Sequence, residues 1–457
     1  MNLARKSLIT FIILGLFKVV LAQDSKETLK LSISEAQDYA LQYNRSVQSA
    51  RIDKNITEKQ VWETLSMGLP QISLSANYLH QFRVPVLSFG PFLDVNSLPD
   101  GTITKADLQN AYKDSPPVAL GVKDNTTIDF TVSQLIFNGE YIVGLQAAKV
   151  AREISDKSLV KTEDQTKESI AGTYYLILVL DENIRLLNES LKAIDKTYNE
   201  LFKMNQEGLN EETDVDQITI NKSNIKTLIN SLVSQKEVSM KLLKFQLGVE
   251  FDQSIVLTDS IPGITELGNM EYLFSQEFNV QNSVDYQMIS VQEKVSELMV
   301  KREKSKLLPT ISAFYRHEEQ TKRPTFNFAV KDVVGASLTF PIFTSGMQSS
   351  KVNQAKYNLE KIRLTKKDSE QGLIMEFETA KSTYQAAYGN FTTNKESLVL
   401  SKKVYDRTMI KYTEGVASSL ELTQSQNQYL TSESNYYNSL LSLLNSKAKL
   451  DRLLKTN

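Results

Sequence analysis

Cysteine is absent from the 457 residues, which excludes disulfides, thiol catalysis, iron–sulfur ligation and lipid attachment through an N-terminal Cys. Histidine is nearly absent. His80 and His317 are the whole supply, too few for a His-based metal site or proton shuttle, and both read as surface or interface positions. Neither sign of charge dominates, with 52 basic and 54 acidic side chains and a net charge of −2. Nucleic-acid binding requires a basic patch or stripe, so no nucleic acid is expected as a partner. P-loop, G-x-S-x-G and H-E-x-x-H motifs are missing; no catalytic residue, cofactor or metal is assigned, and no enzyme is expected. Long apolar runs are missing as well. The short one at Leu8–Phe17 follows Arg5 and Lys6 and precedes "VLA" at 20–22, the layout of a secretory signal peptide over residues 1–22. Nothing later approaches the ~20 apolar residues of a spanning helix. Entry into a membrane would therefore have to be as β-structure.

Proline is scarce where it matters. The ten prolines fall at 70, 85, 91, 99, 116, 117, 262, 309, 324 and 341, leaving 118–261 and 342–457 without any. Proline is excluded from helix interiors because it lacks an N–H and clashes with the preceding turn. The proline-free blocks also carry helical periodicity. Leu180, Ile184, Leu187, Leu191, Ile194, Tyr198 and Leu201 step 4, 3, 4, 3, 4, 3, a coiled-coil seam. Phe377, Ala380, Tyr384, Ala387 and Phe391 step 3, 4, 3, 4. Trp62, the single tryptophan, reads as a core or seam residue.

The second block repeats the first. "SQLIFNGE" (133–140) resembles "TFPIFTSG" (339–346), and "MNQEGLNEETDVDQ" (204–217) resembles "IKYTEGVASSLELTQ" (410–424). Gly139 to Gly208 and Gly346 to Gly415 are each 69 residues, about 100 Å if helical throughout at ~1.5 Å per residue. A glycine followed by a returning helix suits the left-handed cap of the first arm. The pattern predicts two equal αα-hairpins.

Between these arms the period changes to two. Ile72, Leu74, Ala76 and Tyr78 alternate with Ser73, Ser75 and Asn77. Ile128, Phe130 and Val132 alternate with Thr127, Asp129, Thr131 and Ser133. Ile311, Ala313 and Tyr315, and then Val334, Ala336, Leu338 and Phe340, continue the pattern. Two of these strands open on Leu-Pro, at 69–70 and 308–309. One apolar and one polar face, over about 9 to 11 residues, fit a tilted strand with lipid outside and water inside. Four strands cannot close a barrel, and lipid tolerates no open edge. Several copies of the chain must then pool their strands; a dimer and a trimer both satisfy closure.

From about residue 30 onward the chain resembles the TolC-type outer-membrane efflux ducts. The resemblance rests on the duplicated helix–strand–strand–hairpin plan, the Leu-Pro openings, "IFNG" with "IFTSG", and the turns "EGLNEETDV" and "EGVASSLEL". It implies a mainly α fold with a β-barrel segment. Duplicated long αα-hairpins would form a trimeric periplasmic helical barrel, and four strands per chain would contribute to a 12-stranded outer-membrane β-barrel. The expected parts are the signal peptide (1–22), an N-terminal segment and helix (23–68) and a strand pair with a long surface loop (69–138). A first long hairpin (139–248), an equatorial region (249–282), a helix (283–308), a second strand pair (309–345) and a second hairpin with the C-terminus (346–457) follow. The helix at about 33–67 would stack end to end with the returning helix at 209–247.

The resemblance also implies the work. A homotrimer in the outer membrane of a Gram-negative bacterium, reaching into the periplasm and contacting outer-membrane lipid, would serve as the passive exit duct of a tripartite efflux or type I secretion system. A periplasmic adaptor (membrane fusion) protein and an inner-membrane RND or ABC pump would be its partners, with cargo chosen by the pump. A non-transporting coiled-coil scaffold or adhesin is the alternative; it accounts for the seams but not for amphipathic strands at repeat-related positions.

Site residues follow from the same comparison. Gly208 and Gly415 would be the hairpin tips. Asp214, Gln217, Glu421 and Gln424 would line the periplasmic gate, where the family often has an acid at the position of Gln424. Three carboxylates ~6 Å apart repel by roughly 3 kcal/mol per pair at an effective dielectric near 20, enough to favour cations in a narrow pore. Glu421 and Asp214 also suit a plain role as acids at a helix start. Tyr412 and Asp214 would form a tip latch. The family's second latch uses a basic residue where this chain has Ala417, which implies a looser closed state.

Overall fold

The computed structural model describes residues 28–87, 106–107, 110, 118–261, 276–324, 327 and 329–454. The expected signal peptide, most of the surface loop and the middle of the equatorial region lie outside them. The elements run β1 (Leu29–Leu31), α1 (Ile33–Tyr43), α2 (Arg45–Ser66), β2 (Gln71–His80), β3 (Val86–Leu87), β4 (Val118–Ala119), β5 (Asp124–Asn138), α3 (Gly139–Gln206) and α4 (Glu212–Leu247). They continue with β6 (Ile255–Leu257), α5 (Val284–Ser305), β7 (Thr310–Gln320), β8 (Asp332–Thr339), α6 (Met347–Thr413) and α7 (Ser419–Leu454). No helix among the described residues is long and apolar enough to cross a membrane. Two compact units emerge: the described parts of Met1–Lys54, Ser155–Ser290 and Thr365–Asn457, and those of Asn55–Ile154 with Val291–Leu364.

The unit built on 55–154 and 291–364 contains the sheet. Its order is β2-β5-β7-β8, antiparallel throughout. Ile72 pairs with Val132, Leu74 with Phe130 and Ala76 with Ile128, so the apolar sets share one face. Ala313 pairs with Ala336 and Tyr315 with Val334. This face meets no core: Ile72, Leu74, Val334 and Leu338 are all well exposed. A register shift between Leu135 and Phe137 bends β5 before it enters α3. Opposite Phe314 stands Gly335, where a Cβ would come within 2.6 Å of the Phe314 ring.

Both histidines close a strand pair. His80 Nδ1 lies 2.6 Å from Asp124 Oδ1, which also accepts from Tyr78 Oη at 2.9 Å. His317 Nδ1 lies 2.7 Å from Asp332 Oδ1, which accepts from Tyr315 Oη at 2.7 Å. A Tyr-x-His on one strand is clasped by an Asp on the next, in each repeat.

The other unit holds the hairpin turns, the return helices and the long arms from Ser155 and Thr365 onward, besides the N-terminal elements up to Lys54. Ser32 and Glu35 form a capping box that starts α1. The single helix expected over about 33–67 is divided, because Asn44 Oδ1 accepts from the amides of Ser46 and Val47 and starts α2 afresh. Asn44 Nδ2 donates to Gln246 O at 2.6 Å, joining this break to the end of α4. β1 and β6 pair in parallel, tied to α3 where Tyr174 Oη donates to Leu31 O and Asp259 Oδ2. The seam is a true heptad: Leu180, Leu187, Ile194 and Leu201 are buried, and Ile184, Leu191 and Tyr198 half-buried. Phe377, Ala380, Tyr384, Ala387 and Phe391 are all buried. Trp62, by contrast, is exposed.

Candidate gate at the hairpin turns

Each long arm ends on a glycine in the left-handed region, Gly208 at φ 73° and Gly415 at φ 72°. Leu209 N donates to Met204 O at 2.8 Å and Val416 N to Lys411 O at 2.8 Å, the six-to-one bond that closes a helix end. No neighbouring atom lies within 4 Å of a Cβ built on either glycine. Backbone conformation alone demands glycine here, since an L residue there costs roughly 1–2 kcal/mol.

The return helices start differently. In α7, Glu421 N donates to Ser418 Oγ at 3.2 Å and Ser418 N donates to Glu421 Oε2 at 2.9 Å, a reciprocal capping box. In α4 the cap is Glu211, which makes no side-chain cap bond. There the acids of the first turn, Glu212 and Asp214, face the positive end of the helix dipole instead.

The two turns meet around a cavity of about 460 Å³ lined by Leu201, Met204, Leu209, Asp214, Tyr412 and Ser418, among others. Beneath it, Ile194, Leu201, Ile218 and Ile225 pack with Tyr405, Leu422 and Tyr429. Asn221 Nδ2 donates to Thr423 Oγ1 at 3.0 Å between α4 and α7. Burial pushes the Tyr412 phenol up to about 12, and the nearby Asp214 charge adds to the rise. A phenol held protonated beside a carboxylate is equipped to donate to it. The expected latch pair is thus brought together within one chain. The expected gate set is not: Gln217 is half-buried on α4, Glu421 and Gln424 are exposed on α7, and none of the three lines this cavity.

The whole-chain arrangement is similar to several solved channels. The outer membrane protein VceC of Vibrio cholerae is 14% identical with a TM-score of 0.69, over 92% of this chain and 95% of that one. The CmeC outer membrane channel of Campylobacter jejuni is 16% identical with a TM-score of 0.69, over 92% and 85%. The open-state MtrE outer membrane channel of Neisseria gonorrhoeae is 14% identical with a TM-score of 0.68, over 95% and 93%. No curated protein matches the chain by sequence. The family model described as outer membrane efflux protein matches residues 280–455. That match covers the second repeat of the chain, and the solved structures, at 12–16% identity, show that the whole chain shares their fold.

The family match falls on the second repeat, while the first shares the architecture without the sequence signature. Sequence reasoning missed three features of this chain. Ser418 is the cap partner of Glu421, which "ASSLEL" carries as S-x-x-E. Asn210 lines the cavity with both side-chain amide atoms buried and unengaged by other protein groups. Glu433 and Gln426 are buried polar groups on α7, detectable only once it is known which face of that helix turns inward.

Proposed function

We propose that the chain is the outer-membrane exit duct of a tripartite efflux or type I secretion system. Three copies would close the barrel, and an adaptor with an inner-membrane pump would open the hairpin tips. The observation that carries this reading is the four-stranded sheet: its apolar face is exposed, and β2 and β8 leave both edges unpaired. Such a sheet is stable in lipid only when neighbouring copies supply the missing partners. In the hairpin unit, the cavity holding Tyr412 and Asp214 is where a closed tip would be latched, and Glu421 would bias a narrow pore toward cations.

Conduction in planar bilayers by protein purified from outer membranes tests the duct. A water-soluble monomer that never conducts would end the reading. Glu421→Gln tests the gate charge separately, because glutamine retains the capping geometry while removing the charge. Cation preference should fall in this variant; unchanged ion selectivity removes Glu421 from the gate.

A further inference from the structure

The interior of the second hairpin is unusually polar near its turn. Ser401 on α6 and Ser425, Gln426, Ser432 and Glu433 on α7 are all buried. Glu433 is the most enclosed, at 1% exposure, and neither carboxylate oxygen has a hydrogen-bonding partner in the protein. Gln426 Oε1 and Tyr405 Oη are likewise buried and unengaged. Around them, Tyr405 of α6 stacks on Tyr429 of α7 with ring centroids 5.6 Å apart, and Lys402 Nζ sits 5.8 Å over the Tyr429 ring.

A buried carboxylate without a partner is costly, whereas the neutral acid is tolerated. Burial pushes Glu433 up to about 7, with the Lys402 charge pulling the other way. Other charged or titratable groups on the packed elements are Asp406 and Tyr405 on α6, Tyr429 and Tyr437 on α7, and Glu182 with Arg185 on α3. Arg185 is already engaged by Glu182 and Glu189. Glu433 therefore lacks a strong counter-charge. A folded value above the ordinary 4.5 fixes the sign. The stabilisation is complete below 4.5 and is lost as pH rises through about 7.

We propose that Glu433 makes the second hairpin a proton-dependent clamp. Protonated, it lets α6 and α7 close tightly against α3; ionised, it draws water into the seam and loosens the hairpin that carries Tyr412. This rests on the channel reading above, because the consequence for transport is a tip that opens more readily at neutral than at acid pH. Ser401 and Ser425 donate their hydroxyl protons to Leu398 O and Leu422 O, so an ionised Glu433 must take its hydrogen bonds from water.

The decisive comparison is the reconstituted wild-type channel against Glu433→Gln, with open probability followed from about pH 5 to about pH 8, where ordinary carboxylates are already ionised. The wild type should open more as pH rises, by up to about tenfold for each pKa unit that opening removes. Glu433→Gln should stay near the acid-pH level throughout. The variant keeps both histidines, so a profile they set would survive in it. A wild-type slope retained in Glu433→Gln, or a flat wild-type profile, overturns the proposal. Should the protein not conduct at any pH, amide hydrogen exchange over residues 398–437, corrected for intrinsic rates, still reads the clamp. Protection that falls with pH in the wild type and not in the variant supports it, and equal pH dependence sinks it.

Discussion

The two hairpins share a frame and differ in what they bury at three matched positions. Their turn glycines, Gly208 and Gly415, are 207 residues apart, and at that offset Ile194, Ile218 and Ile225 correspond to Ser401, Ser425 and Ser432. All six are buried. Where the first hairpin pairs Asp195 with Lys222 at 2.6 Å, the second has Lys402 and the stacked Tyr429. Burying an isoleucine contributes roughly 1.5–3 kcal/mol, and serine contributes almost none of that. Duplication has kept what the backbone needs, namely arm length, left-handed glycines and clasped strands. It has released what only packing needs. At these three positions the first hairpin buries branched apolar groups and the second only hydroxyls.

The largest break in this contrast should come from making the first hairpin resemble the second. Ile225→Ser should cost about 3 kcal/mol through lost burial and a cavity, read as earlier thermal loss of helical signal in detergent. Ser432→Ala should stay within about 1 kcal/mol; equal losses at the two positions would abolish the distinction. The turns should behave alike. Gly208→Ala and Gly415→Ala should each cost about 1–2 kcal/mol, because conformation and not crowding demands glycine at both, and protease nicking at the tips should rise equally. The smallest expected effect separates the return-helix starts. Ser418→Ala should cost about 1 kcal/mol and Glu211→Ala almost nothing, judged by amide exchange in the first turns of α7 and α4.

Much of this frame was legible because it is written in exclusions and periods. Proline cannot enter a helix, so the gaps at 118–261 and 342–457 outlined the long arms before any packing was known. Period-two alternation at 72–78 and 311–315 marked strands for the same geometric reason. Three-residue β1 and β6, more than 220 positions apart, offer no period at all. The break at Asn44 depends on one side chain choosing backbone amides over continued helix. The Tyr–His–Asp clasps needed strand register, which joins His80 to Asp124 and His317 to Asp332. At the tip, the Tyr412–Asp214 proximity was read from family likeness, whereas the burial of Glu433 required knowing how α7 is rotated.

The sheet has a consequence for the life of a single chain. β2, ten residues long, and β8, eight, each turn the backbone donors and acceptors of alternate residues to a free side, with greasy side chains standing on the same ribbon. On the proposed reading, a copy that has not met its siblings is adhesive along both margins. In that reading its fate is a race between lawful pairing and indiscriminate fibre-like stacking, lost by dilution of siblings or by delay in reaching a bilayer.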